Sequence, residues 1–369
     1  MKKKLLTLLM CAALVFSMTA CGDKDTPAID ESAETGEEPY HFEIIVKSFQ
    51  ATYWQAAVKG VDKACEEQSV TANCSGPATE SDIEDQVKML DDAIAKNPSG
   101  IALSACDTNS VLDSLKDALT AGIPVVCFDA GVNEAPEGSV VATVATDNTA
   151  AGVCAAENMF PVIKDVLAAA TADAKVRIGV VNQDATALNI QQRGIGFINK
   201  MIQLCAEKGM KCTVEGDEFY VSKAEGAVDP AEAAVIIEVV VPAKTSVELS
   251  AAEAQKVMAK DDTVAIFGSN QVTAEGLIVA NGTLNKLGTT PGEHIIAVGF
   301  DAGAPQKEAV KAGMFIGSVA QAPFMMGYEC INTLVSYCNG ETVEDIATDV
   351  YWYNAENMED ENIAQNLYN

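Results

Sequence analysis

The sequence predicts an α/β protein of two doubly wound parallel-sheet lobes joined by a hinge. Three observations carry this. Short apolar strands without polar alternation recur between amphipathic helices, the pattern of a parallel sheet covered on both faces. The strand–helix rhythm runs once from residue 43 to 128 and starts again at 176. Finally, 369 residues that are 49% hydrophobic and 21% charged exceed one compact core and suit two lobes of roughly 150 residues.

In the first half, Glu43-Ile44-Ile45-Val46 reads as a buried strand. Trp54, Val58, Val61 and Cys65 then keep helical spacing, with Thr52 as the expected N-cap. Val70 to Cys74 is a second strand. Thr79 is expected to cap a helix whose Ile83, Val87, Leu90 and Ile94 share a face, and Asn97-Pro98 ends it. Ile101 to Leu103 is a third strand, Val111 to Leu119 a helix, and Pro124 to Phe128 a fourth strand.

The second half reads likewise, with a strand at Val176 to Val181 and a helix at Ile190 to Lys208. Val235 to Val241 is the next strand, although Cys212-Thr213-Val214 competes for its slot; residues 210–233 have no clear counterpart and suggest a flap or hairpin. Helices at Glu248 to Ala259, Thr273 to Asn285 and Ala304 to Lys311 alternate with strands at Thr263 to Phe267, Ile295 to Phe300 and Phe315 to Val319. A helix at Pro323 to Tyr337 and a short strand at Val350 to Tyr353 close the pattern. Doubly wound sheets bind ligands at the carboxyl ends of their strands, and two facing halves make a cleft.

The N-terminus reads as export machinery. Lys2-Lys3-Lys4 precedes an apolar run from Leu5 to Phe16, too short to span a bilayer. Thr19-Ala20-Cys21-Gly22 resembles a bacterial lipoprotein signal, in which Cys21 is acylated and becomes the mature N-terminus; Met18 stands where Leu is usual. The alternative is an ordinary export signal cut nearby. The expected organisation is a signal over 1–20, an acidic tether over 21–40, an N-terminal lobe over 41–146 plus 322–350, a C-terminal lobe over 147–321 plus 351–356, and an acidic tail over 357–369.

Charge and composition exclude several functions. The net charge is −29, and the three lysines that leave with residues 1–20 take it to −32. A phosphate-backbone partner needs a basic face, so no nucleic acid is expected. The same charge keeps a tethered body off an anionic lipid surface. With only His41 and His294, most histidine-based triads and zinc sites lack ligands, and no metal is expected. No G-x-S-x-G, H-E-x-x-H, P-loop or G-x-G-x-x-G motif occurs, so neither an enzyme nor a cofactor is expected. Of eleven cysteines, nine remain beyond Cys11 and Cys21, without a C-x-x-C. Cys330 and Cys338 are eight apart on one helix, too far to bridge. The cysteines read as core thiols, with Cys205–Cys212 and Cys65–Cys74 as candidate pairs.

From Glu43 to about Tyr353 the sequence resembles the sugar-binding proteins of bacterial ABC importers, the ribose- and galactose-binding type that shares the type I periplasmic-binding fold with LacI-family effector domains. The resemblance rests on "YWQAAVKGVDKACEE", "AGIPVVCFDAG", "ATVATDNTAAG", "QQRGIGF", "AIFGSN", "AVGFDAG" and "GSVAQAPFMMG", in the family's order and near its spacing.

The resemblance implies a sugar held at the cleft. Aromatic rings take its C–H face, and carboxylates, amides and guanidinium groups take its hydroxyls. Tyr53 and Trp54 fall at the stacking positions, although Trp54 also fits the core stripe of its helix. Asp129 and Asp301 end strands in opposite halves, where helix capping or turn formation is the alternative role. Arg193, one of two arginines, matches the family's "QRG", with a surface ion pair as the alternative. Asn270 follows a strand, and its amide can donate and accept at once. Gln321 lies at the second crossover between lobes. Lys47, Gln50 and Ser104 hold looser family positions, and Lys244 is reached by counting back from Asn270. Three features depart from the family's ribose binders: Ala130 replaces an arginine, Lys244 replaces an aromatic, and Lys47 replaces a small polar residue. A larger or differently substituted sugar is therefore admitted.

The expected function is capture of a small sugar by a monomer that hinges near Thr146, Gln321 and Val350, closes, and delivers the sugar to ABC permease subunits outside the cytoplasm, lipid-anchored to the membrane. A sugar-sensing lipoprotein, a nucleoside-binding lipoprotein of the same fold and, from a different class, a glycosidase using Asp129 and Asp301 are the alternatives.

Overall fold

The computed structural model describes residues 39–364, 367 and 368. The expected signal, Cys21 and nearly all of the acidic tether lie outside the described residues.

The first half runs β1 (His41–Ile45), α1 (Thr52–Gln68), β2 (Thr71–Ser75), α2 (Ile83–Ala95), β3 (Gly100–Leu103), α3 (Leu112–Ala121), β4 (Val125–Phe128) and β5 (Val140–Thr146). The second runs α4 (Asn148–Ala168), β6 (Val176–Val181), α5 (Leu188–Glu207), β7 (Cys212–Gly216), α6 (Glu218–Lys223), β8 (Val235–Val240), α7 (Val247–Met258), β9 (Thr263–Gly268), α8 (Gln271–Leu284), β10 (Ile296–Phe300), α9 (Ala304–Lys311) and β11 (Phe315–Ala320). The chain returns through α10 (Pro323–Cys338) and β12 (Ile346–Thr348), then ends with β13 (Tyr351–Tyr353) and α11 (Glu361–Ala364).

These strands form two sheets, ordered β12-β5-β4-β3-β1-β2 and β13-β11-β10-β9-β6-β8-β7. All strand pairs are parallel except β11 with β13. The chain passes between the sheets three times, after β5, after β11 and between β12 and β13. Successive strand residues feed opposite layers, because side chains alternate across a sheet with a period of two. In the first sheet Ile45, Ile101, Leu103 and Val125 enter one core, while Ile44, Ala102, Val126 and Phe128 enter the other. In the second, Ile296, Val298 and Phe300 face one core and Ala297 the other. Full burial of each large aliphatic or aromatic side chain contributes roughly 1.5–3 kcal/mol, and both faces of each sheet supply it.

Several local expectations are corrected. Thr52 does not cap α1: it is the first helical residue, and the preceding Ala51 makes no side-chain cap bond. Thr79 does not cap α2; its backbone and hydroxyl both donate to Asp82, at 2.9 and 2.8 Å. Cys212-Thr213-Val214 and Val235–Val240 are not rivals, because β8 pairs with β6 and β7 adds outside it as an edge strand. Residues 210–233 are thus a parallel edge strand and a short helix, not a flap or hairpin. The tail carries the helix α11 and a buried Leu367. All nine described cysteines are free thiols, including both candidate pairs. Burial pushes the Cys74 and Cys127 thiols up to about 12, so they are inert hydrophobes at neutral pH.

Candidate functional site

The site begins at two equivalent strand ends. Asp129 follows β4 and Asp301 follows β10, with φ of 61° and 74° in the left-handed region. Asp is among the few residues that tolerate this conformation, which still costs on the order of 1–3 kcal/mol. Each is pinned by its backbone N–H, which donates to Val144 O in β5 at 2.9 Å or to Val319 O in β11 at 2.6 Å. Both side chains are buried and border one cavity between the lobes.

On the first-lobe side Asp129 is heavily partnered. The Lys47 ammonium, two residues beyond the end of β1, stands 3.2 Å from Asp129 Oδ2, and both side chains are buried. Tyr53 Oη donates to Asp129 Oδ1 at 2.6 Å, and Ser104 Oγ donates to Oδ2 at 3.3 Å. From the opposite lobe, Asn189 Nδ2 donates to the same carboxylate at 2.8 Å while Asn189 Oδ1 accepts from Lys47 at 2.9 Å. Burial would lower the Lys47 pKa, but the carboxylates of Asp129 and Glu80 more than offset it, and the net shift is upward. Burial, then the charge of Asp129, pushes the Tyr53 phenol well above its ordinary value. Trp54 packs edge-on against Phe128, at 6.2 Å and 81°, and its Nε1 donates to Glu80 Oε1 at 2.8 Å. Tyr53 and Trp54 therefore sit in the core and line the cavity at once.

On the second-lobe side Arg193 projects from α5. Its Nη1 donates to Ser269 O and its Nη2 to Asn148 Oδ1, both at 2.7 Å, and the guanidinium lies 3.6 Å above the centre of the Phe300 ring. Close packing of α4 on α5 fixes this placement: a Cβ at Gly152 would collide with the Arg193 carbonyl, and one at Gly196 with the Thr149 carbonyl. Asn148 also donates to Thr146 O at 3.0 Å, tying Arg193 to the first crossing between lobes.

Asp301 meets only neutral hydrogen-bond donors. Gln271 N, at the start of α8, donates to its Oδ2 at 2.9 Å, and Gln321 Nε2 donates to its Oδ1 at 2.8 Å. Burial pushes its carboxyl up to about 6, against the nearby charge of Arg193 and these two bonds. Asn270 caps α8, accepting from Thr273 N at 3.0 Å, and donates to Gln183 Oε1. Gln183 in turn donates to Glu80 Oε2 across the cleft at 2.8 Å.

The structure thus brings Lys47, Tyr53, Trp54, Asp129, Arg193, Asn270, Asp301 and Gln321 around one space of about 30 Å³. Ser104 reaches it only through Asp129. Two expectations are corrected. Lys244 is exposed in the turn between β8 and α7 and does not border the cavity, because spacing counted back from Asn270 ignores the outward path of that turn. Gln50 is exposed and borders a neighbouring groove instead of the central space. Sequence reasoning missed Glu80, Gln183, Asn189, Asn148 and Gln271. Asn189 was within reach, since it precedes Arg193 by four residues and so shares its helix face.

Two residues lining this space each carry a buried atom without a hydrogen-bond partner among the described residues, Arg193 Nε and Gln321 Oε1. One is a donor and the other an acceptor. Each orphaned group costs about 1–3 kcal/mol, and a hydroxyl can satisfy either one.

Two doubly wound lobes enclosing a polar space at their strand ends define a two-lobed solute-binding protein. Residues 42–342 match the periplasmic binding protein domain, and the chain belongs to that family. Its members are binding proteins and not enzymes. A similar solved structure, described as an ABC transporter, LacI family transcriptional regulator from Brachyspira murdochii, is 29% identical, with a TM-score of 0.74, covering 90% of this chain and 99% of that one. A solute-binding protein of an ABC transporter from Agrobacterium vitis, with bound D-fucose, is 27% identical, with a TM-score of 0.72, covering 89% of this chain and 100% of that one. The ABC transporter periplasmic-binding protein YphF of Escherichia coli (strain K12) is 29% identical over 82 residues, 22% of this chain. That match spans 25% of YphF's own length.

Proposed function

We propose that this protein captures a small neutral sugar between its lobes and hands it to the permease of an ABC importer. The observation that carries this reading is the convergence of Asp129 and Asp301, from opposite lobes, on one space also lined by Arg193 and Gln321, whose Nε and Oε1 are buried without a partner. Carboxylates accept from hydroxyls, Arg193 donates to them, and Gln321 accepts again, so the set fits a molecule that is donor and acceptor around its whole rim. The Agrobacterium vitis relative has a sugar, D-fucose, bound.

A space of about 30 Å³ admits a water or two, not a sugar ring. Entry therefore requires the lobes to part, and the bonds that now cross the cleft mark where the ligand substitutes. At the central space these include Lys47 and Asp129 to Asn189, and Glu80 to Gln183. A sugar docks on one lobe, and closure exchanges these contacts for bonds to hydroxyls. The closed form is favoured by the difference in ligand contacts between the two states. With neutral hydrogen bonds contributing a net ~0.5–1.5 kcal/mol and charged ones ~1.5–3, a dozen imperfectly additive contacts support micromolar affinity or better.

In this reading the chain works outside the cytoplasm as a monomer, held to the membrane by a lipid on Cys21, with the acidic stretch to residue 40 as its tether. A thermal-shift screen across pentoses, hexoses, 6-deoxyhexoses, disaccharides and nucleosides tests the ligand class, because a bound ligand raises the midpoint with its affinity and concentration. The expected result is a shift with one or more sugars. A shift with nucleosides alone, or with none of these ligands, contradicts the reading.

A further inference from the structure

A larger space adjoins the central one. It is a groove of about 440 Å³ at the cleft mouth, between the turns that lead into α1 and α2 in the first lobe and the starts of α7, α8 and α9 in the second. Four residues, Ala51, Glu80, Gln271 and Val272, border both spaces. The chemistry changes across that boundary. The central space is lined largely by charges and amides, whereas the groove wall carries Ala51, Ala78, Val247, Val272, Ala304 and Pro305.

We propose that this groove is a second subsite, holding a ring-sized substituent with an apolar face on a sugar whose first ring occupies the central space. The ligand class is then a disaccharide or aryl glycoside, and the inference rests on the sugar reading above. The volume falls within the ~300–1,000 Å³ typical of small-ligand sites. The apolar wall matches the C–H face of a second sugar or an aromatic ring. The passage between the two spaces has a built-in way to open. Thr52 Oγ1 and Gln271 Nε2 bridge the lobes there at 2.9 Å, but Gln271 Nε2 also donates to Glu275 Oε1 at 2.9 Å. Gln271 can therefore release Thr52 for a passing substituent without losing every partner.

Glu80 stands at the same boundary. Its two oxygens accept from neutral donors, Trp54 and Gln183, and no ion pair to it occurs among the described residues. Burial, the largest influence, raises its carboxyl pKa. It is placed to accept from a hydroxyl near the linkage. Gln50, which has no place at the central space, acquires one on the groove wall. Another space that adjoins the centre, about 450 Å³ behind Asp129, does not compete. It shares only Asp129 and Asn189 with the centre, and those two are bonded to each other at 2.8 Å across the opening.

The test is calorimetry on the full chain. The probes are D-fucose, D-galactose and D-glucose, their phenyl α- and β-glycosides, and lactose, melibiose, maltose and cellobiose. The expected result is that at least one glycoside or disaccharide binds tenfold or more tightly than its parent monosaccharide. Ala78→Trp and Ala304→Trp, both at exposed positions on the groove wall, should each cut that gain to within twofold and leave monosaccharide affinity within twofold. If monosaccharides bind and no extended ligand binds better, or if the tryptophans leave the gain intact or weaken both ligand types alike, the second subsite is wrong and the sugar reading stands. If none of these sugars binds and no sugar of the thermal-shift screen does either, the sugar reading itself fails; if only a sugar outside this panel binds, and its own glycosides bind no better than it does, the second subsite alone is wrong.

Discussion

Asp129 and Asp301 occupy the same place in two similar lobes, yet their surroundings differ in kind. Both end a strand with a left-handed turn and a backbone bond to the neighbouring strand. Asp129 faces the Lys47 ammonium at 3.2 Å, in addition to three neutral donors. Asp301 meets only a backbone N–H and an amide, and burial lifts it to about 6. The repeated fold supplies carboxylates at matching positions, and the local sequence decides whether each meets a buried cation or only neutral donors.

The largest expected effect breaks this symmetry through stability. Asp129→Ala strands a buried lysine, a change that costs about 3–5 kcal/mol. Asp301→Ala removes an acceptor from neutral donors and should cost about 1–3 kcal/mol. Urea unfolding of both variants checks the order, and equal losses would remove the distinction between the two aspartates. For binding assays Asp→Asn is therefore the better substitution, since it keeps the shape of the side chain.

Next comes Arg193→Lys, which keeps the charge but loses the planar fork to Ser269 O and Asn148 and the stacking on Phe300. Sugar affinity should fall at least tenfold, read by calorimetry. An unchanged affinity would make the guanidinium geometry irrelevant to the ligand.

The third effect is a pH dependence. The Asp301 carboxyl is raised in the folded state from 3.8 to about 6, so between those values the folded chain binds more protons than the unfolded one. Its contribution to stability is then fully present below pH 3.8 and is lost as pH rises from there through about 6. Asp301→Asn should remove that decline from the pH profile of unfolding, whereas Asp129→Asn should leave it in place. A profile unaltered by Asp301→Asn would mean that burial does not raise the Asp301 carboxyl. The smallest effect belongs to Lys244, exposed outside the cavity. Lys244→Ala should leave sugar affinity within twofold, and a tenfold loss would return it to the site.

Much of this was legible in the sequence. Continuous apolar runs such as Val125–Phe128 and Ile296–Phe300 mark strands buried on both faces, and an aspartate ending each run is visible without a structure. What was not legible has physical reasons. β5, VVATVAT, interrupts the continuous apolar run of the other strands with Thr143 and Thr146, and α4 buries residues around much of its circumference and contains Pro161, so neither carries the pattern looked for. The cross-cleft partners of Glu80, Gln183 and Gln271 lie on the opposite lobe, 103 residues away for Glu80 and Gln183 and 219 for Gln271. No local pattern encodes a contact made only when two lobes meet. Thr52 illustrates the same limit: its hydroxyl reads as a cap in sequence but reaches Gln271 across the cleft.

The most direct measurement is calorimetric titration, with the sugar that gives the largest thermal shift, of the wild-type chain, Asp129→Asn, Asp301→Asn and the double variant. Each single change should weaken binding at least tenfold, and the double variant should show no measurable heat of binding while still unfolding cooperatively. A double variant that binds within twofold of wild type would show that the ligand is not held between these two carboxylates.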